Sequence, residues 1–146
     1  MKKALLLLLC LLVIPFSAHA EDKKPTNTWI RICQDNMGMF HYFSSASIKQ
    51  YPPNNGTVFD VSVRAIVTDE ARKKDKRFAR ASYFVTTTHY VGGRGIYRTL
   101  STIYYDAQGK IIQRNDKAGA EAAIATGLLA KQTLSAVQAW LEKNPQ

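Results

Sequence analysis

Between Phe59 and Val67 the chain alternates with a period of two: Phe59, Val61, Val63, Ala65 and Val67 fall on one side, and Asp60, Ser62 and Arg64 on the other. Successive side chains of an extended strand point to opposite faces, so the pattern fits a strand with one dry and one wet face. Such a strand needs antiparallel neighbours along its edges and an apolar cover over its dry face. The flanking sequence offers both.

Five further segments read as strands. Trp29 to Gln34 and Met39 to Ser44 flank the turn residues Asp35-Asn36-Met37-Gly38 and form a hairpin. Ala81 to Tyr90 contains Tyr83, Phe84, Val85 and three threonines, and Ile96 to Tyr105 follows the break Gly92-Gly93-Arg94-Gly95. Asp106-Ala107-Gln108-Gly109 turns the chain into Lys110 to Gln113, with Gly109 free to take the positive backbone angle of a hairpin bulge. Ser45 to Tyr51 is a connection, Tyr51-Pro52-Pro53-Asn54-Asn55-Gly56 is strong punctuation, and Ala71 to Arg80 is a charged connection. From Asp116 onward alanine, leucine, lysine and glutamine favour helix, and Ile124, Leu128, Leu134, Val137 and Leu141 trace one face. Gly127 is expected to divide this helix, leaving a second piece near Gln132 to Lys143. The expected fold is α+β, an antiparallel sheet of about six strands with a C-terminal helix packed on one face.

The N-terminus reads as an address. Lys2 and Lys3 precede an unbroken apolar run from Ala4 to Phe16, and Ala18 and Ala20 provide a small-x-small exit, as in a cleavable export signal. The run is shorter than the ~20 residues of a membrane-spanning helix. Residues 1–20 are therefore expected to be removed, residues 21–28 to form a flexible segment, and residues 29–146 to fold as one domain that is periplasmic or secreted and soluble after cleavage. Cys10 follows Leu9, where a lipoprotein signal has a small residue, so no lipid anchor is expected. Cleavage leaves Cys33 as the only cysteine, either buried among Ile30 and Ile32 or paired between chains.

Cleavage also lowers the formal charge from +9 to +7, since Lys2 and Lys3 leave and no acid does. A basic exported protein is drawn to acidic glycans, lipid headgroups and acidic host proteins, and export makes nucleic acid an unlikely ligand. The sharpest local feature is the run from Arg72 to Arg77, in which five of six residues are cationic. Lys73, Lys74, Lys76 and Arg77 are the candidate binding residues, their contacts weakening with salt; the same charges would also keep a solvated loop from pairing edge to edge. Aromatic residues at Phe40, Tyr42 and Phe43, at Tyr83 and Phe84, and at Tyr97, Tyr104 and Tyr105 must split between the two sheet faces, one set for the core and the other for recognition.

Catalytic patterns are sparse. His41 and His89 could serve as acid and base of a periplasmic hydrolase or phosphodiesterase, but their spacing carries no signature. His41, His89 and Cys33 lack metal-ligand spacing, no Gly-x-Ser-x-Gly elbow occurs, and the glycines at 92, 93 and 95 lack the spacing and Lys-Ser of a phosphate loop. No catalytic residue, metal or cofactor is expected, and the sequence leaves a homodimer open.

Trp29 opening the first strand, Phe40 to Phe43 followed by Ser47-Ile48, Arg98 near the start of a strand, and Tyr104-Tyr105-Asp106-x-x-Gly109 with Lys110 occur in the order found in the surface-adhesin protein E family, which this chain resembles from Trp29 to Gln113. The resemblance implies a six-stranded antiparallel sheet with a docked C-terminal helix and, for the best-known member, adhesion to host plasminogen, vitronectin and laminin. That family often ties helix to sheet with a disulfide. Here, with only Cys33, the helix is expected to be held by packing alone.

Overall fold

A computed structural model describes residues 28–145. The expected export signal at residues 1–20 and most of the segment at 21–28 lie outside the described residues. Six strands form the main path of one antiparallel sheet: β1 (Trp29–Gln34), β2 (Phe40–Ser44), β4 (Val58–Ile66), β5 (Tyr83–Val91), β6 (Ile96–Tyr105) and β7 (Ile111–Asn115), in that spatial order. Two short strands complete it: β3 (Lys49–Gln50) pairs with β4, and β8 (Ala122–Ala123) pairs with β6. The α+β architecture and all six strands read from the sequence are present, with ends shifted by a residue or two at most of them.

The alternation in β4 sets the two faces. Register carries Phe59, Val61, Val63 and Ala65 across to Phe43 and His41 on β2 and to Tyr90, Thr88, Thr86 and Phe84 on β5. Helix α2 (Leu128–Lys143) packs on this face: Ala130, Val137 and Leu141 join Phe43, Phe59, Val61, Val63 and Tyr90 in one buried cluster. Phe59 stacks on Tyr90, which stacks in turn on Tyr97. No disulfide is involved. Gln138 also donates to the carbonyl of Gly56 at 3.2 Å, tying the helix to the loop before β4.

A second cluster covers the other end of the same face, where Met39, Val67, Ala71, Phe78 and Ala81 are buried against Phe84, Tyr104 and Ile112. It exists because the charged segment after β4 is not a plain connection. Asp69–Lys74 form a short helix, α1, followed by a helical turn at Lys76–Phe78. Thr68 accepts from the Ala71 amide as the N-cap, Asp69 and Glu70 occupy the first turn, and Arg72, Lys73 and Lys74 the last, each at the end where the helix dipole favours its charge. Thr68 also donates to the Met37 carbonyl at 2.9 Å, fixing α1 to the β1–β2 hairpin.

The last third differs from the helical expectation. Gly127 does not divide a helix; it is the N-cap of α2, and the preceding residues form β8 and a turn at Ile124–Thr126. An alanine-rich composition gives way here to pairing with an open strand edge, because β6 extends beyond β7 and leaves Ile96 and Tyr97 available to Ala123 and Ala122. Leu128, placed by periodicity on the buried face, is 73% exposed, whereas Ala130 and Thr133 are buried. Gly109 has a φ of 78°, as the last hairpin requires.

Candidate functional site

The face opposite the helices carries the other half of each strand. Among the described residues both helices lie on the first face, so the second is open. Across its centre run Arg31, Tyr42, Arg64, Val85, Ile103 and Arg114, each opposite the next in register. The neighbouring row runs through Phe40, Ile66, Tyr83 and Tyr105, whose last two rings stack at 4.7 Å. The aromatic residues of the sequence thus divide as strand parity demands: Phe43, Phe84, Tyr97 and Tyr104 toward the core, Phe40, Tyr42, Tyr83 and Tyr105 toward the open face.

Arg31 and Arg64 on this face meet rings in place of carboxylates, whereas Arg114 pairs with Asp116 at 3.0 Å. The Arg64 guanidinium lies 4.5 Å from the centre of the Trp29 ring and 5.7 Å from that of Tyr42, and Arg31 lies 4.6 Å from that of Phe40. Such stacking holds the planar cation while leaving its N–H fork uncommitted. The Nε of Arg64 is buried and has no hydrogen-bond partner among the described residues.

Another carboxylate stands at the far end of the face. Asp60 accepts from the Tyr51 hydroxyl at 2.7 Å and meets His89 Nδ1 at 2.6 Å, while Tyr51 packs edge-on against the His89 ring. Arg98, opposite His89, and Lys49, opposite Asp60, flank it. Arg98 is exposed. His89 is thus a partner of Asp60.

His41 belongs to the other face. It is 3% exposed, and its Nε2 lies 2.9 Å from Asp35 Oδ2, whose other oxygen accepts from the amides of Met37 and Met39. Burial pushes the Asp35 carboxyl up, but the His41 hydrogen bond and those two amides outweigh it and hold it below the ordinary carboxylate range. The register therefore puts His41 and His89 on opposite faces, and the histidine pair weighed for phosphodiester chemistry is not brought together. Cys33 is half-buried, and burial together with the Asp35 charge raises its thiol pKa against the lowering effect of Arg31, the opposite of an activated nucleophile. Among the described residues no group of His, Cys, Asp and Glu could hold a metal ion.

Lys73 and Lys74 end α1, and Lys76 and Arg77 lie in the turn after it; all four are exposed. Local acids occupy part of this charge. Lys74 pairs with Glu70, Arg72 with Asp69, and Arg77 grips Asp75 so well that its hydrogen bonds hold that carboxyl below its usual range. Lys73, Lys76 and Arg80 have no carboxylate partner among the described residues, and Lys73 and Lys76 are the freest of the four candidates. The open-face arginines were harder to foresee. Arg64 was legible as a wet-face residue, but its stacking needs Trp29 and Tyr42 from strands that only the sheet order brings together.

Comparison with models of known protein families, with characterised proteins and with solved structures finds no match. Among the described residues no helix is long and apolar enough to cross a membrane.

Proposed function

We propose that this chain is a non-enzymatic, exported binding module of the surface-adhesin protein E type, acting in the periplasm or outside the cell on acidic macromolecules such as sulfated glycans or acidic host extracellular proteins. The observation that carries the reading is Arg64, stacked on Trp29 and close to Tyr42 on an open sheet face with no carboxylate partner among the described residues. A guanidinium already oriented by rings loses little side-chain freedom when it meets a carboxylate or sulfate. Arg31 and Arg98 extend the positive field along the face, Arg114 being paired with Asp116, and tyrosine and tryptophan beside arginine match the composition of recognition surfaces. Lys73 and Lys76 supply a second cationic contact, with Lys74 and Arg77 able to exchange weak surface ion pairs for an external anion.

The test is binding to a heparin-derived oligosaccharide at two salt concentrations. Combined Arg31→Gln, Arg64→Gln and Arg98→Gln substitutions are expected to weaken binding about tenfold or more and to flatten its salt dependence, because fewer condensed ions are then released. Combined Lys73→Gln, Lys74→Gln, Lys76→Gln and Arg77→Gln substitutions are expected to have a smaller effect. The opposite ranking would move the contact surface to the basic segment. Affinity unchanged in both variants would overturn the reading.

A further inference from the structure

The two buried clusters under the helices do not merge. Between them, where the first turn of α2 passes over the sheet, lies a cavity of about 340 Å³. That is within the size range of small-ligand pockets. Its floor explains why the core stops here: on β5 and β6 the covered face switches from aromatic to hydroxyl side chains at Thr86, Thr88 and Thr99. A layer of threonines facing an apolar helix cannot close up without stranding hydroxyls.

Two polar atoms lining this space make no well-formed hydrogen bond among the described residues. With His41 Nε2 committed to Asp35, His41 Nδ1 is left unpaired on a side chain only 4% exposed, and Thr133 Oγ1, on a fully buried residue, makes no well-formed hydrogen bond and has only the Tyr90 hydroxyl beside it. A buried polar atom left alone costs about 1–3 kcal/mol, so two of them around one cavity mark a place built to meet a partner. Tyr90 adds a hydroxyl that burial raises to a pKa of about 12, its interaction with Thr133 opposing the rise and Tyr97 adding to it. It is therefore a neutral donor.

The start of α2 forms the roof. Gly127 caps it without a side chain, so the amides of the first turn receive no internal side-chain acceptor. The position is tight: a Cβ there would meet the Tyr97 hydroxyl at 3.2 Å and the Ala130 Cβ at 3.3 Å, so a side chain would push a neighbour by a few tenths of an ångström. A 16-residue helix whose positive end is left bare beside buried, unpaired polar groups favours an anion. Val63, Phe84 and Leu129 give the same cavity an apolar wall, and exposed Leu128 forms its rim.

We infer that this cavity binds a small amphipathic organic acid, its carboxylate against the first turn of α2 and the hydroxyls of Thr133 and Tyr90, and its short apolar body against Val63, Phe84 and Leu129. His41, held by Asp35 through Nε2, lines the same end of the cavity. The inference is independent of the polyanion reading, since the cavity and the open arginines lie on opposite faces.

Hexanoate and 3-phenylpropionate are the probes, compared with hexanol and 3-phenylpropanol, which keep the apolar body and drop the charge. Titration followed by amide chemical shifts is expected to move Leu128 to Lys131 together with Thr86 to Thr88, and the acids are expected to bind about tenfold or more tightly than the alcohols. Thr133→Val keeps the volume of the side chain and removes its hydroxyl, so in a protein whose fold is checked by its amide spectrum it should weaken acid binding several-fold while sparing the alcohols. Equal affinity for acid and alcohol, shifts confined to other residues, no binding of either acid, or full affinity in folded Thr133→Val would each overturn the assignment.

Discussion

Along β4, Phe59, Val61, Val63 and Ala65 are buried under the helices, while Asp60, Ser62, Arg64 and Ile66 between them stay partly exposed. The same strands thus build two surfaces under opposite rules. On the covered face stability comes from excluded water and ring packing. On the open face the rings stay partly wet and hold arginines, a weaker interaction that leaves hydrogen-bonding capacity unused. The difference teaches where to look for function: the covered face explains why the chain folds, apart from the gap under the start of α2, and the open face has groups that folding does not need.

Substitutions can break this contrast. Phe59→Ala should be the most damaging, costing about 3–5 kcal/mol in denaturant unfolding, because a fully buried ring stacked on Tyr90 is replaced by a cavity. Asp35→Ala should cost about 1–3 kcal/mol by stranding His41 and the amides of Met37 and Met39. It should also change the acid limb. The native Asp35 carboxyl lies below its unfolded value, so its contribution is present above about pH 4 and is lost as pH falls through the lowered native value. The wild type should then lose more stability than Asp35→Ala between about pH 5 and the acid end of the titration. Arg64→Gln should cost no more than about 2 kcal/mol, the worth of partly buried cation–π contacts, and yet be the most harmful single change to polyanion binding. An Arg64→Gln protein that lost several kcal/mol would place Arg64 among the structural residues and erase the contrast.

The strands were legible in the sequence because period-two patterns and the Asp-x-x-Gly turns are local signals. Helix α1 was not, since six residues are too few to show a 3.6-residue period; its signal lay in Thr68 followed by Asp69-Glu70 and then Arg72-Lys73-Lys74, a cap and a charge gradient. Gly127 was read through its low helix propensity, whereas its role depends on the nearness of Tyr97, a contact distant in sequence. The candidate surfaces were legible only in part. Residue types and strand parity pointed to exposed aromatics and cations, but the Asp60–His89 pair spans 29 positions and the stacking of Arg64 needs three strands in register.

The chain has two tryptophans, and they report the two faces: Trp29 stacks with Arg64 on the open face, and Trp140 packs against the covered core. The most direct measurement is fluorescence during titration with a heparin-derived oligosaccharide, using Trp140→Phe and Trp29→Phe proteins. If the open face is the contact surface, emission should change on titration in Trp140→Phe and stay constant in Trp29→Phe. A change that survives only in Trp29→Phe, or no change in Trp140→Phe at saturating oligosaccharide, would contradict it.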